Sequence, residues 1–158
     1  MSVPRGSLTI VAGDFEDARV VALLREHLDG MHASSPPGLV SAFDLTALKA
    51  TDIAFFTAWR AGELLGCAAL RHLGASRGEI KSMRTAAAHL REGVASRLLE
   101  HLLMLARSRG YRRLSLETGS GEAFEPALAL YRRYGFESGE PFGDYPSTDF
   151  NRFLHIDL

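Results

Sequence analysis

The sequence predicts an α+β domain, a mixed and mostly antiparallel sheet flanked by helices. Three observations carry this. Ile53 to Trp59, Glu63 to His72 and Arg77 to Thr85 are β-rich runs in close succession, the first pair separated only by Arg60-Ala61-Gly62, which is the pattern of an antiparallel meander. Two helical runs follow, Gly93 to Arg109 and about Glu122 to Tyr134, with the strand-like Arg112 to Glu117 between them. A short apolar strand and an amphipathic helix precede the meander.

Taken in order, Ser7 to Ala12 is the first strand, and Asp14 can cap a helix over Phe15 to Met31 whose apolar stripe is Val20, Val21, Leu23, Leu24 and Leu28. His32-Ala33-Ser34-Ser35-Pro36-Pro37-Gly38 breaks the pattern before a short helix around Ala42 to Lys49, and such a break suits a substrate rim. The helix from Gly93 carries Val94, Leu98, Leu99, Leu102, Leu103 and Leu105 and stops at Gly110. The next helix stops at Gly135. Phe136 to Ser138 and Arg152 to Asp157 are closing strands, joined by a loop, Gly139 to Phe150, rich in turn formers and carrying Phe142, Asp144 and Tyr145.

At 158 residues the chain fits a single domain over 1–158, large enough for its own core. A net charge of −1 argues against a general nucleic-acid binder, since there is no basic excess to track phosphates. Cys67 has no second cysteine to pair with, and in an apolar strand it is expected to be buried and inert. His27, His32, His72, His89, His101 and His155 show no metal-ligand spacing, so no metal is expected. Neither a leader pattern nor a run of about 20 apolar residues is present, which predicts a cytoplasmic protein without membrane contact.

The most telling stretch runs from Met83 through Arg84, Thr85, His89 and Leu90 to Ser96 and Leu99: a strand end, a tight turn and an abrupt helix start. Small residues at Gly93, Ala95 and Ser96 let a ligand approach the backbone, and the unpaired N–H groups of a first helical turn favour an anion, a diphosphate above all. Its position after a meander, not after the first strand of a parallel sheet, points away from a dinucleotide fold.

Element order and two motifs together resemble the GNAT superfamily of N-acetyltransferases over nearly the whole chain. Leu90-Arg91-Glu92-Gly93-Val94-Ala95 resembles the acetyl-CoA signature [QR]-x-x-G-x-[GA], with Leu90 in place of the polar first residue. Ala127-Leu128-Ala129-Leu130-Tyr131-Arg132-Arg133-Tyr134-Gly135-Phe136 resembles the family's A-x-x-L-Y-x-x-x-G-F run, and Phe124 stands where an asparagine is common.

The resemblance implies an α/β/α layered fold with splayed central strands, acetyl-CoA as cosubstrate, and direct attack by a primary amine in a ternary complex. It implies Glu79 as general base with Glu117 as runner-up, the backbone N–H of Met83 facing the acetyl oxygen, and Tyr131 protonating the departing thiolate. Met83, Arg84, Thr85, Leu90, Arg91, Glu92, Gly93, Val94, Ala95, Ser96, Phe124, Ala127 and Tyr131 would hold the cosubstrate. A small-molecule or peptide amine would meet His32, Asp44, Glu117, Phe142, Asp144 and Tyr145, and the terminal strand could pair across a homodimer. The competing readings are a non-catalytic acyl-CoA-binding or regulatory module, and an interaction domain with no CoA affinity.

Overall fold

The computed structural model describes residues 7–38 and 45–158. Its strands are β1 (Thr9–Ala12), β2 (Ile53–Arg60), β3 (Glu63–Gly74), β4 (Arg77–Thr85), β5 (Arg113–Thr118), β6 (Glu137–Ser138) and β7 (Arg152–Asp157). Its helices are α1 (Ala18–Ser34), α2 (Leu45–Leu48), α3 (Val94–Ser108) and α4 (Glu125–Arg133), with single 3-10 turns at Ala87–His89 and Glu122–Phe124.

One open sheet runs in the order β1-β2-β3-β4-β5-β7-β6. Its pairings are antiparallel except that of β4 with β5, as the meander and the closing strands predict. α3 and α4 cover one face, burying Leu98, Leu99, Leu102 and Leu128 against Ala68, Leu70, Ile80, Leu114 and Leu116. α1 and α2 cover the other through Val20, Leu23, Leu24 and Leu48 against Phe55, Cys67 and Ala69. Each fully buried leucine contributes roughly 2 kcal/mol by leaving water. The result is the α/β/α layering that the resemblance implies.

The first helix starts later than the sequence suggests. Asp14 spends its carboxylate on Glu16 N–H at 2.9 Å, in a turn ahead of the helix, while Asp17 accepts from Arg19 N–H at 2.9 Å and is the true cap. α1 therefore begins at Ala18 and continues to Ser34, past Met31. Of the helix expected around Ala42 to Lys49, Leu45–Leu48 is helical, and Asp44 lies outside the described residues.

Two irregularities of β4 shape everything that follows. β4 and β5 share a register over Arg77–Glu79 only, so from Ile80 to Thr85 the edge of β4 faces an opening and not a strand. This is the expected splay. Within it, β4 carries an extra residue relative to β3: Ala69 stands opposite Lys81 but Cys67 opposite Arg84, with Ser82 in the left-handed region at φ 53°. The bulge exchanges the faces of the strand, so Glu79, Lys81 and Arg84 share the α1 face with Cys67 and Ala69. Cys67 is fully buried there, its thiol donates to Ser82 O at 3.3 Å, and burial pushes its pKa up to about 12, which leaves it inert.

Candidate active site

The anion cradle forms where β4 leaves the sheet. Gly93 takes φ 82° as the N-terminal cap of α3, and a Cβ added there meets nothing within 4 Å, so the glycine answers a conformational need and leaves open space above the helix start. The first intrahelical bond runs from Arg97 N–H to Gly93 O, and among the described residues no side-chain cap is seen at this helix start. The donors of Val94, Ala95 and Ser96 thus remain for a ligand. Glu92 ties this turn to the hairpin, accepting from His89 Nδ1 at 2.8 Å and pairing with Arg60 at 3.3 Å. His89 also meets Glu63 at 2.9 Å, and these two carboxylates raise its pKa. Leu90 is 61% exposed and Arg91 stands at φ 63°, so both lie on the outer surface of the cradle.

From the cradle, β4 leads into a cavity of about 190 Å³ at the mouth of the splay. Met83 and Arg84 line it from β4, Glu117 from β5, Phe124, Ala127 and Tyr131 from the α4 side, and His27 and Met31 from α1. Tyr131 is held by an edge contact with Phe136 at 5.6 Å, and burial raises its pKa, so its hydroxyl keeps its proton at neutral pH. Asn151 Nδ2 donates to Glu117 Oε2 at 2.6 Å. Burial raises the pKa of Glu117, against the opposing pull of Asn151 and Lys81.

Glu79 sits behind this cavity. It is 1% exposed and opens into an outer cleft with Arg71, Arg77, Phe142, Asp144 and Tyr145. Lys81 forms the partition: its ammonium stands 3.6 Å from Glu79 and donates to the Tyr145 hydroxyl, which in turn donates to Glu79. Burial lowers the Lys81 pKa, and Glu79 and Glu117 oppose that shift. The loop bearing Phe142 and Tyr145 is fastened to the sheet through His155. Nε2 of His155 donates to Glu140 O at 2.8 Å, which leaves Nδ1 to accept from Ser115 Oγ at 2.7 Å, and Gly139 lies so close that a Cβ would stand 2.6 Å from the ring.

The structure thus brings Met83, Glu117, Phe124, Ala127 and Tyr131 around one cavity, and Glu79, Phe142, Asp144 and Tyr145 around its neighbour. It does not bring His32 into either. His32 is exposed near the end of α1, while the cavity face of that helix presents His27. Sequence reasoning overlooked His27, Lys81 and Asn151 as site residues. The spacing Val20, Leu23, Leu24, His27 is that of a buried stripe, and Lys81 stands two residues from Glu79 on an alternating strand, so two of the three carried a signal.

An antiparallel sheet opened beside a helix N-terminal cradle, with a carboxylate and a phenol at the opening, defines an acyl-CoA-type transferase. The profile of the acetyltransferase (GNAT) family matches residues 20–136, and the chain belongs to that family. It is 51% identical over 132 residues to YsnE of Bacillus subtilis, an uncharacterized N-acetyltransferase, covering 84% of this chain and 87% of that one. Its identity to YedL of Escherichia coli, another uncharacterized N-acetyltransferase, is 41% over 150 residues, covering 95% and 94%. A crystal structure from Klebsiella pneumoniae, of a protein described as a "putative acyl-CoA N-acyltransferase", superposes with a TM-score of 0.80 at 27% identity over 96% of this chain and 97% of that one. A Bacillus subtilis acetyltransferase solved in complex with CoA superposes with a TM-score of 0.69 at 19% identity, covering 96% and 99%. The protein is an N-acetyltransferase of the acetyl-CoA type.

Proposed function

We propose that the protein transfers an acetyl group from acetyl-CoA to a primary amine by direct attack, with both substrates bound. The observation that carries this reading is the convergence of Met83, Glu117 and Tyr131 on one cavity at the end of the β4 edge that leads from the cradle. The cradle donors of Val94, Ala95 and Ser96 fit a diphosphate, and the free edge of β4 fits an extended amide-bearing arm. Bound acetyl-CoA supplies the activated acyl carbon.

Glu117 takes a proton from the incoming ammonium, its raised pKa bringing it nearer the range useful to a base. As the N–C bond forms, the main chain at Met83 faces the thioester oxygen and stabilises the charge that develops there. As the C–S bond breaks, the Tyr131 hydroxyl gives its proton to the thiolate and recovers one from the acetylated nitrogen, which sheds its second proton to become the amide, while Glu117 returns the first to solvent. Glu79, which the family resemblance puts forward as the base, exchanges protons with the cavity through Tyr145 and Lys81 and with solvent through the outer cleft. No covalent enzyme intermediate is needed, in keeping with the inert Cys67.

The test is CoA release measured over a panel of primary amines, alongside thermal unfolding with and without acetyl-CoA. At a hundredfold excess over its dissociation constant acetyl-CoA should stabilise the fold by about 3 kcal/mol. Stabilisation with no release on any amine would favour a non-catalytic acyl-CoA-binding module. No stabilisation would end both readings.

A further inference from the structure

This inference rests on the transfer reaction proposed above and concerns the class of acceptor. At the α1 end of the cavity three buried polar atoms have no hydrogen-bond partner among the described residues: Nδ1 of His27, Oγ of Ser82 and Nε of Arg84. All three residues line the cavity, and His27 and Ser82 are only 7% and 8% exposed. Such a group, left unsatisfied, bears the whole cost of its lost hydration. Three residues of one cavity wall thus keep hydrogen-bonding capacity that their described neighbours leave unused.

Local devices keep Arg84 there. The bulge turns its side chain to the α1 face. Gly30, a poor helix former within α1, makes room for the guanidinium: a Cβ at Gly30 would stand 3.0 Å from both of its terminal nitrogens. Its acidic neighbour, Glu26, is 3.8 Å away with a side chain 45% exposed, so water screens that pair.

The chemistry of the three groups selects the guest. Arg84 Nε–H only donates, the Ser82 hydroxyl donates freely, and His27 is a neutral imidazole at physiological pH, since burial and the Arg84 charge push it down to about 4. Donors grouped around a cation suit an anionic oxygen group. Glu117 stands on the β5 side of the same cavity. We propose that the acceptor is a small amino acid, its carboxylate held by Arg84, Ser82 and His27 while its amine meets Glu117.

The experiment compares free L-amino acids with their primary amides and with the corresponding decarboxylated amines, following CoA release by the full-length protein. The best amino acid should exceed its amide in kcat/KM about 100-fold, the scale of a lost charge-assisted contact. Arg84→Met should narrow that ratio to below about fivefold, and Ser82→Ala, which keeps a side chain suited to the same backbone, should narrow it less. Because each ratio is taken within one enzyme, a general loss of activity cancels. Equal use of acids and amides by the unsubstituted protein overturns the proposal. So does a preference that survives both substitutions, or a loss in both confined to the KM for acetyl-CoA, which would assign these donors to the cosubstrate's amide arm. Acetylation of none of the amines would instead overturn the transfer reaction itself.

Discussion

The cradle and the cavity lie along the same strand and work by opposite means. At the cradle, Leu90, Arg91 and Gly93 are exposed, and what faces a ligand is main chain, fixed by the φ of 82° at Gly93. In the cavity, Tyr131, His27 and Ser82 are buried, and what faces a ligand is side chain, tuned by the loss of water. A backbone device tolerates many neighbours and demands one conformation. A side-chain device demands each neighbour. Binding and chemistry should therefore fail separately when the two regions are altered.

The widest separation is expected in the cavity. Tyr131→Phe and Glu117→Gln should each lower kcat about 100-fold or more, the usual scale of general acid or base catalysis, with calorimetric affinity for acetyl-CoA changing far less. If Glu79→Gln costs much more than Glu117→Gln, the outer carboxylate is the base and Glu117 only orients the acceptor. At the cradle, Gly93→Val forces a β-branched residue into the left-handed region at a cost of roughly 1–2 kcal/mol. The KM for acetyl-CoA should rise about tenfold, well beyond the effect on kcat. Equal losses in both parameters would mean that the two regions are not separable.

The pH dependence sharpens the contrast. Glu117 acts as a base when ionised, so kcat/KM should rise with pH through a value above the usual glutamate range, because burial raises its pKa. Asn151 pulls that pKa down, so Asn151→Ala should move the limb to higher pH. A limb that stays in place would detach Glu117 from the proton transfer. The smallest effect belongs to His89, whose folded pKa is raised by Glu63 and Glu92. Its contribution is fully present below its unfolded value near 6.5 and fades as pH rises through the folded one. His89→Gln should lower Tm by no more than about 3 °C at pH 6, as befits a partly exposed ion pair, and by less at pH 9.

The same contrast explains what was legible in the sequence. The cradle could be found from Gly93 and the small residues after it because a backbone device leaves its mark in residues that permit a conformation. The meander, α3 and α4 were legible because their periodicity is local. The bulge was not, since Ser82 is an ordinary residue whose left-handed conformation is imposed by pairing with β3. The cavity depends on that bulge and on the parting of β4 from β5, so Arg84 could be assigned to the strand end but not to the α1 face. Asp14 and Asp17 show the limit at smaller scale: two capping residues three positions apart compete, and packing of Val20 against the sheet selects the later one.

The extra residue in β4 makes the site a matter of counting. Inserting one further residue after Ser82 would leave the hydrophobic composition of the strand untouched, yet it would rotate every residue downstream by half a pleat. The Arg84 guanidinium would then be driven toward the leucines of α3, and Met83 would replace it beneath α1. Natural variation in this segment should accordingly take the form of exchanged side chains at constant length.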